Sequence, residues 1–304
     1  VIGMAEVFER LKPDLIIILG DRFEIFAAAQ AAMVAGIPIA HISGGEATEG
    51  IIDEAIRHSL TKMSHLHFTS SDIYANRVIQ LGESPKRVFN VGALGIDNLS
   101  QLKLFDRSKV QDEIGLDISA SSLLLCTYHP ETLKTKSVRK GISELLSALA
   151  EFKDAKIVFT KTNADTGGRV INELIEDFVL QYPNRAKAFV SLGQTRYLSV
   201  LKEAAVVIGN SSSGIVEAPA ARTVTVNIGD RQRGRLKARS VIDCGSSAIE
   251  IKRAIVKALS EECQATAAKG ESLFGYGGVA TQIKNIVCSI SLEGILHKQF
   301  YDLD

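Results

Sequence analysis

Short apolar runs alternate with longer amphipathic segments along almost the whole chain. The clearest run is 15–19, five aliphatic residues that Gly20 ends. Runs of this length without alternating polar residues are typical of strands in a parallel sheet with both faces covered. The segments between the runs, such as 23–35, have the length and composition of helices. The alternation therefore predicts an α/β protein in which helices cover both faces of parallel sheets.

A polar stretch at 106–122 separates two such series of strands and helices. The chain has 304 residues, which is enough for two domains that each bury a core. We predict one lobe at 1–110, a second lobe at 118–275, and a C-terminal helical segment at 276–304 that packs back on the first lobe. Two facing lobes would form a cleft lined by loops at strand ends, where α/β proteins bind ligands.

The charge balance argues against two classes of partner. Lysine and arginine number 35, and so do aspartate and glutamate, so the formal net charge is zero. A neutral chain is a poor match for nucleic acid or for an acidic membrane surface. The longest stretch without these charged residues, 25–45, is interrupted by Gln30, Gly36 and Pro38. A helix followed by a strand explains it better than a membrane span.

Cysteine usage and the first residues bear on location and completeness. The four cysteines are too sparse and too far apart for a zinc knuckle, a redox pair or a disulfide scaffold, which favours a reducing cytoplasm. No signal peptide is recognisable. The chain begins at Val1 and reaches its first methionine at Met4. We therefore expect a first lobe that is truncated at its N terminus, compared with a complete doubly wound lobe.

Acidic residues follow the first predicted strands of the first lobe. Asp21 and Arg22 come directly after Gly20, and Glu46 follows the glycine pair that ends the next strand. Asp53 begins the helix after that. Because the carboxyl ends of parallel strands meet at one edge, we expect the three carboxylates to gather there. Carboxylates in a cleft are suited to proton transfer at carbon or oxygen.

Simpler interpretations of these residues stay open. Asp21 is also placed to cap the helix that follows it. Asp53 with Arg57, and Glu54 with His58, have the i,i+4 spacing of ion pairs on a helix surface.

Two histidines on one predicted strand suggest a metal site. His65 and His67 are alternate residues, so their side chains share a face. A zinc site normally needs three or four protein ligands. We therefore assign both histidines to structure and predict no metal.

The second lobe carries the most informative motif at 209–217. A strand ends at Gly209, a loop of serines follows, and a helix begins near Gly214. Free backbone N–H groups and the helix dipole at such a start suit a diphosphate. Glu217, one turn into the helix, is placed to accept both hydroxyls of a ribose. The motif is neither a Walker loop nor a dinucleotide fingerprint, because the required spacings are absent.

Further candidates of the second lobe follow other strands at the same edge. His129 comes just after the first strand, and Asn163 lies in a polar loop that also has the composition of a helix cap. Three arginines, among them Arg231 and Arg235, follow a later strand. They are placed to bind phosphate or base, although a solvated basic loop is the simpler alternative.

Taken together, the stretches GDRFE, HISGGE, DEAIRH, TKMSHLHF, HPETL, NADTGGR, GNSSSGIVEAP and NIGDRQRGR resemble the UDP-N-acetylglucosamine 2-epimerase family. They are most similar, over essentially the whole chain, to its hydrolysing branch, which makes N-acetylmannosamine or a related sugar for sialic-acid-type synthesis. The resemblance implies two Rossmann-like, doubly wound lobes of the glycosyltransferase-B type, with UDP bound mainly by the second. It also implies a UDP-sugar as substrate, no metal and no cofactor. We further expect a homo-oligomer, either a dimer or a tetramer.

The resemblance assigns roles residue by residue. The catalytic group would consist of Asp21, Glu46, Asp53 and His129. The substrate and UDP group would consist of Arg22, Asn163, Ser212, Ser213, Gly214, Glu217, Arg231 and Arg235. One departure is Ser43, which stands where the family often has a glutamate, so that Glu46 would take its place.

The activity that the resemblance implies is elimination of UDP to a glycal, followed by hydration to N-acetylmannosamine. One alternative is the same reaction on UDP-N,N'-diacetylbacillosamine. Others are a glycosyltransferase on the same fold and a UDP-sugar-binding regulator without turnover. Asp21 and Asp53 are both present, which favours an enzyme over a regulator.

Overall fold

The computed structural model describes residues 1–48, 52–130, 138–162 and 167–303. These residues form two compact units. The first consists of 1–48, 52–97 and 274–303, and the second of 98–130, 138–162 and 167–273. The domain boundaries given above, 1–110, 118–275 and 276–304, stay predictions.

Helices and strands alternate as the sequence pattern predicts. The first part of the chain contains, in order, α1 (Ile2–Leu11), β1 (Ile16–Leu19), α2 (Phe23–Val34), β2 (Ile39–Ile42), α3 (Asp53–Met63), β3 (Leu66–Thr69), α4 (Asp72–Gln80), β4 (Val88–Asn90) and α5 (Leu94–Gln101). Then follow α6 (Arg107–Ile114), β5 (Leu123–Thr127), α7 (Val138–Ala150), β6 (Lys156–Thr160), α8 (Gly168–Gln181), β7 (Ala186–Phe189), α9 (Gly193–Glu203) and β8 (Val206–Gly209). The last elements are α10 (Ser213–Ala220), β9 (Val224–Ile228), β10 (Val241–Cys244), α11 (Ala248–Ala258), α12 (Glu261–Ala268) and α13 (Val279–Ser289).

The sheet of the first unit has four parallel strands in the order β1-β2-β3-β4. It therefore winds in one direction through the described strands. β2 and β3 are buried along their whole length. β1 differs from the prediction that both faces are covered, because Ile17 and Leu19 are 52% and 51% exposed. An edge strand has a neighbour on one side only, and here that neighbour is β2.

Helix α13 packs on one face of this first sheet. Its Val279 and Ile283 belong to the same apolar cluster as Ile42 and Phe68 of the strands. The buried carboxylate of Asp97 accepts hydrogen bonds from two N–H groups in the first turn of α13. A carboxylate at this position satisfies donors that a helix start leaves unpaired and complements the helix dipole. The C-terminal segment is thus fixed to the first unit by both apolar packing and a cap.

The sheet of the second unit has six parallel strands in the order β10-β9-β8-β5-β6-β7. Its chain runs from β5 to β7 in one direction and from β8 to β10 in the other. The order reverses between β5 and β8, and ligands bind at such a switch point in doubly wound sheets. The prediction of an α/β fold with two parallel-sheet, Rossmann-like lobes is confirmed.

The polar stretch at 106–122 is helical in part. It contains α6, whose Val110 and Ile114 are buried in a core of the second unit. Two apolar positions four residues apart are enough to hold a short helix on a core, although they give a weak apolar pattern. Within the described ranges, no helix combines the length and the apolar character needed to cross a membrane.

Candidate active site

The guanidinium of Arg57 is the centre of the polar cluster in the first unit. It is 1% exposed. Nε and Nη2 both donate to Oδ2 of Asp21, and Nη2 also donates to the hydroxyl of Thr48. Nη1 donates to the backbone oxygen of Glu46 and to Oε2 of Glu54. All five N–H donors of the guanidinium are therefore used, and the side chain ties together three separate segments.

The buried position of Arg57 follows from the helical spacing of α3. Arg57, Leu60, Thr61 and Ser64 recur at i, i+3, i+4 and i+7, and all four are buried. The interpretation of Arg57 as a residue of the helix surface is thus wrong, because this face of the helix turns inward. The pair of Glu54 with His58 is present, with 3.2 Å between Oε1 and Nε2.

Opposite charges shift the pKa values of Arg57 and Glu54. Burial would lower the pKa of the guanidinium, but the carboxylates of Asp21, Glu46 and Glu54 raise it above its usual value. Burial likewise would raise the pKa of Glu54, but the N–H of Thr48 and the charge of Arg57 lower it. The cluster accordingly consists of one cation held among carboxylates in a poorly hydrated setting.

Asp21 is not the cap of the helix that follows it. α2 begins at Phe23, and the residue in the N-cap position is Arg22, which makes no capping bond with its side chain. The side chain of Asp21 is 21% exposed. Both bonds from Arg57 converge on Oδ2, which leaves Oδ1 able to take a proton. Arg22 has other partners: it pairs with Glu24, and its guanidinium lies over the Phe23 ring.

The two other predicted carboxylates lie near the same cluster. Glu46 is 8% exposed, and its Oε1 accepts a hydrogen bond from the Ser70 hydroxyl. Asp53 is the first residue of α3, one turn before Arg57, and is half-buried. The structure thus joins Asp21 and Glu46 through Arg57 and places Asp53 on the helix that carries this arginine.

The loop after β2 is held in an unusual backbone conformation. Ser43 has φ +72°, and Gly45 has φ +78°. A Cβ at position 45 would lie 2.2 Å from the backbone oxygen of Tyr74, so only glycine fits. Buried His41 donates from Nε2 to the carbonyl of Gly20, the residue before Asp21. Burial lowers the pKa of His41 to about 4, so the ring is neutral and supports the turn.

His65 and His67 both have protein partners. Nδ1 of His65 accepts the backbone N–H of Ile39. His67 lies 3.0 Å from Oε2 of Glu83, a carboxylate that is 2% exposed. Among the described residues, no group of three or more potential ligands could hold a metal ion.

Glu83 is at the centre of a second buried charge cluster. The ammonium groups of Lys62 and Lys298 both donate to its carboxylate. Lys298 also donates to the backbone oxygens of Lys62 and Ser64 at the C-terminal end of α3. Despite its burial, these partners and His67 lower the pKa of Glu83 to about 2. The C-terminal segment is therefore attached to the helix that carries Arg57.

A cavity of about 500 Å³ lies in the second unit at the switch point of its sheet. Its walls come from the ends of β5, β6 and β8, from the start of α9 and from the loop before α10. It is lined in part by Thr127, His129, Thr160, Tyr197, Ser211, Ser212, Ser213 and Arg231. Four of the sequence-predicted residues, His129, Ser212, Ser213 and Arg231, are thus brought to one cavity.

His129 is fixed by hydrogen bonds on both sides. Its backbone N–H donates to the side-chain oxygen of Asn210, whose amide donates back to the carbonyl of His129. Nδ1 lies 2.8 Å from the Thr162 hydroxyl. The carbonyl of Asn210 accepts from Nη1 of Arg231 and from the side-chain amide of Gln232. This network links the loop after β5 with the loop after β9.

The start of α10 is built by close backbone approaches. Gly209 has φ +133°, and a Cβ there would lie 1.9 Å from the carbonyl oxygen of Thr127. Gly214 has its carbonyl bonded to the Thr225 hydroxyl. Ser213 is the first residue of the helix, and its Oγ accepts a hydrogen bond from the hydroxyl of Tyr197 at 2.7 Å. The helix start thus points a small, polar surface at the cavity.

The remaining predicted residues lie as follows. Glu217 is in α10, one turn after Ser213. Burial chiefly raises the pKa of Tyr197, and the charge of Glu217 acts in the same direction. Arg235 is half-buried and is absent from the cavity lining. Asn163 lies outside the described residues.

Three residues of these clusters were missed by sequence reasoning. Arg57 carries a signal, because helical spacing from Leu60 and Thr61 puts it on the buried face of α3. Tyr197 and Thr160 carry none, because a tyrosine in a helix and a threonine at a strand end are common in any α/β chain.

Comparison with known proteins identifies relatives that match nearly the whole of this chain. The family model described as UDP-N-acetylglucosamine 2-epimerase matches residues 1–288. The chain is 41% identical to the Campylobacter jejuni GDP/UDP-N,N'-diacetylbacillosamine 2-epimerase (hydrolyzing), over 99% of this chain and 78% of that protein. It is 39% identical to the Escherichia coli polysialic acid biosynthesis protein P7, over 99% of this chain and 76% of the relative.

Solved structures are similar as well. One is the UDP-GlcNAc 2-epimerase from Neisseria meningitidis bound to UDP-GlcNAc, with a TM-score of 0.80 and 18% sequence identity. The similarity covers 95% of this chain and 80% of that one. At this identity the comparison shows the fold.

Proposed function

Because the chain belongs to the UDP-N-acetylglucosamine 2-epimerase family, we propose that it is a hydrolysing 2-epimerase of a UDP-linked 2-acetamido sugar. It releases UDP and the free sugar with inverted configuration at C2. The observation that supports this most is the buried Arg57, whose two contacts with Asp21 both go to Oδ2 and leave Oδ1 for a proton. A regulator without turnover has no need of such a group.

The cavity of the second unit would bind the UDP part. The hydroxyls of Ser212 and Ser213, the positive end of the α10 dipole and the guanidinium of Arg231 suit an anion. Departure of UDP builds negative charge on the diphosphate as the C1–O bond breaks. Donors fixed in advance stabilise that charge without reorganising. Gly214, Glu217 and Asn163, with Arg22 and Arg235, keep their predicted substrate roles as part of this proposal.

The carboxylates of the first unit would handle protons. A base removes the C2 proton while UDP leaves C1, which gives a C1–C2 double bond in the sugar ring. Water then adds, its hydroxyl to C1 and a proton to C2 on the opposite face. Asp21, Glu46 and Asp53 are the candidates, and His129 completes the proposed catalytic group. Oδ1 of Asp21 meets the first requirement of a base, a carboxylate oxygen that its structural partner does not use.

The names of the relatives favour UDP-N,N'-diacetylbacillosamine over UDP-N-acetylglucosamine as the substrate. The relative with 41% identity is named for the diacetylbacillosamine reaction. The first interpretation from the sequence, UDP-N-acetylglucosamine with N-acetylmannosamine as product, is therefore the second candidate. It keeps support from the family description and from the fold of the Neisseria structure.

Comparison of the two UDP-sugars as substrates tests this choice. The enzyme is supplied with either UDP-sugar, and released UDP is followed with the free sugar by NMR. We expect a higher kcat/KM for UDP-N,N'-diacetylbacillosamine. A higher kcat/KM for UDP-N-acetylglucosamine would reverse the order of the candidates, and release of UDP from neither would refute the proposal. The homo-oligomer, the cytoplasmic location and a place in sialic acid biosynthesis stay predictions.

A further inference from the structure

Two pairs of hydroxyl groups are hydrogen-bonded at the cavity of the second unit. Thr127 and Thr160 are the last residues of β5 and β6, and they are register partners in the parallel sheet. Their hydroxyls are hydrogen-bonded to each other. The hydroxyl of Tyr197 donates to Oγ of Ser213, the first residue of α10. All four residues line the cavity.

The direction of donation is known for the second pair. The hydroxyl of Tyr197 donates to Oγ of Ser213 at 2.7 Å. A hydroxyl has one hydrogen to donate and two lone pairs to accept with. Tyr197 has therefore used its hydrogen in this bond, whereas Ser213 keeps its own.

The same count defines what Ser213 presents to a ligand. Its oxygen accepts from Tyr197, and its own hydrogen is left for another acceptor. Ser213 lines the cavity and lies at the positive end of the α10 dipole. We infer that Tyr197 is a positioning residue that turns Ser213 into a fixed hydrogen-bond donor for a diphosphate. This inference rests on the proposed UDP site and adds the group that orients its donor.

The bond from Tyr197 to Ser213 also favours the leaving group over the intact substrate. A phosphate oxygen becomes a stronger acceptor as negative charge builds on it, so the bond from Ser213 strengthens during departure. Cooperative polarisation from the hydroxyl of Tyr197 through that of Ser213 acts in the same direction. Tyr197 packs on the core of the second unit, which holds its hydroxyl in place. Burial raises the pKa of that hydroxyl, so it stays protonated and keeps donating.

The test compares a ligand with phosphates and one without. UDP and uridine are titrated into the wild-type protein and into Tyr197→Phe. Phenylalanine keeps the ring in the core and removes only the donor. We expect UDP to bind roughly 10-fold more weakly to the variant, because one hydrogen bond to a charged group is misdirected. Uridine, which lacks phosphate, should bind both proteins equally. A general structural defect would weaken both ligands alike.

Two further variants make the result specific. Ser213→Ala should weaken UDP binding by a similar factor, and adding Tyr197→Phe to it should cause little further loss, because both remove one interaction. Tyr182→Phe is the matched control, since Tyr182 lies in the same unit but does not line this cavity. Should Tyr197→Phe fail to fold, Tyr197→Leu makes the same test, because leucine also fills the core and lacks the hydroxyl, with a loss of roughly 10-fold expected for UDP only.

The outcomes separate this inference from the function on which it rests. If the wild-type protein binds no UDP, the proposed site fails and the inference with it. If the wild type binds UDP and Tyr197→Phe binds it equally well, or if losses from Tyr197→Phe and Ser213→Ala add up, the UDP site stands and the role of Tyr197 is refuted.

Discussion

Arg57 holds Asp21 by two hydrogen bonds to one carboxylate oxygen, from Nε at 2.6 Å and from Nη2. The guanidinium is buried, whereas the carboxylate is partly exposed. One oxygen of Asp21 thus anchors the residue, and the other is left for chemistry. Asp21 therefore has a structural role and a chemical role, and the two roles can be tested separately.

Replacing Asp21 by asparagine should abolish most turnover. Without a base, kcat should fall by about 10²–10⁴-fold. UDP affinity should be retained, because the proposed UDP site lies in the second unit. The free energy of unfolding should fall by about 1–3 kcal/mol, since Arg57 loses a charged partner. Asp14→Asn, at an exposed position, is the control. Wild-type turnover per folded molecule would make Asp21 purely structural.

Replacing Glu217 by alanine should weaken UDP binding. A lost charged acceptor for the ribose hydroxyls costs about 1–3 kcal/mol of binding free energy. Titration of UDP and of uracil separates the ribose from the base, because uracil lacks the hydroxyls and should be unaffected. Glu262→Ala, at an exposed position of α12, is the matched control. Equal UDP affinity in Glu217→Ala and wild type would remove Glu217 from the ribose site.

The stability of the protein should depend on pH through Glu83. Its pKa in the folded state is lowered to about 2 from an ordinary value of 4.5. A lowered carboxylate pKa stabilises the folded state above pH 4.5, and the contribution disappears as the pH falls towards 2. The size of this contribution is on the order of 3 kcal/mol.

Urea unfolding at several pH values measures this contribution. Glu83→Gln should lower the free energy of unfolding at pH 7 and flatten its dependence on pH below 4.5. Lys298→Met should act in the same direction, because it removes one cation from Glu83. Lys284→Met, at an exposed position of α13, is the control. An unchanged acid profile in Glu83→Gln would contradict the assigned charge cluster.

Replacing Gly209 by alanine should destabilise the second unit severely. A Cβ would lie 1.9 Å from the carbonyl oxygen of Thr127, at a φ of +133°. We expect a loss of about 3–5 kcal/mol or failure to fold. Gly3→Ala is the control, because nothing lies within 4 Å of its added Cβ and alanine is the better helix former. Thermal unfolding of both variants measures the difference.

The sequence predicted the succession of strands and helices better than it predicted the contacts of single side chains. Apolar runs identify the parallel strands, because the pattern depends on local sequence, although one face of β1 is exposed. They also place Asp21, His129 and Ser213 at strand ends, where the structure has them. The capping role considered for Asp21 was wrong, because its partner Arg57 is 36 residues away in the chain. Tyr197 could not be predicted at all, since its link to Ser213 depends on how α9 packs.

Deuterium at C2 of the product tests the central claim most directly. The enzyme is incubated with UDP-N,N'-diacetylbacillosamine in D₂O, and the released sugar is analysed by NMR. Elimination and hydration predict inverted configuration at C2 with deuterium bonded there, because the proton that returns comes from solvent. Asp21→Asn should form this product at a rate reduced by about 10²–10⁴-fold. A free sugar that keeps protium and the original configuration at C2 would show simple hydrolysis and contradict the account.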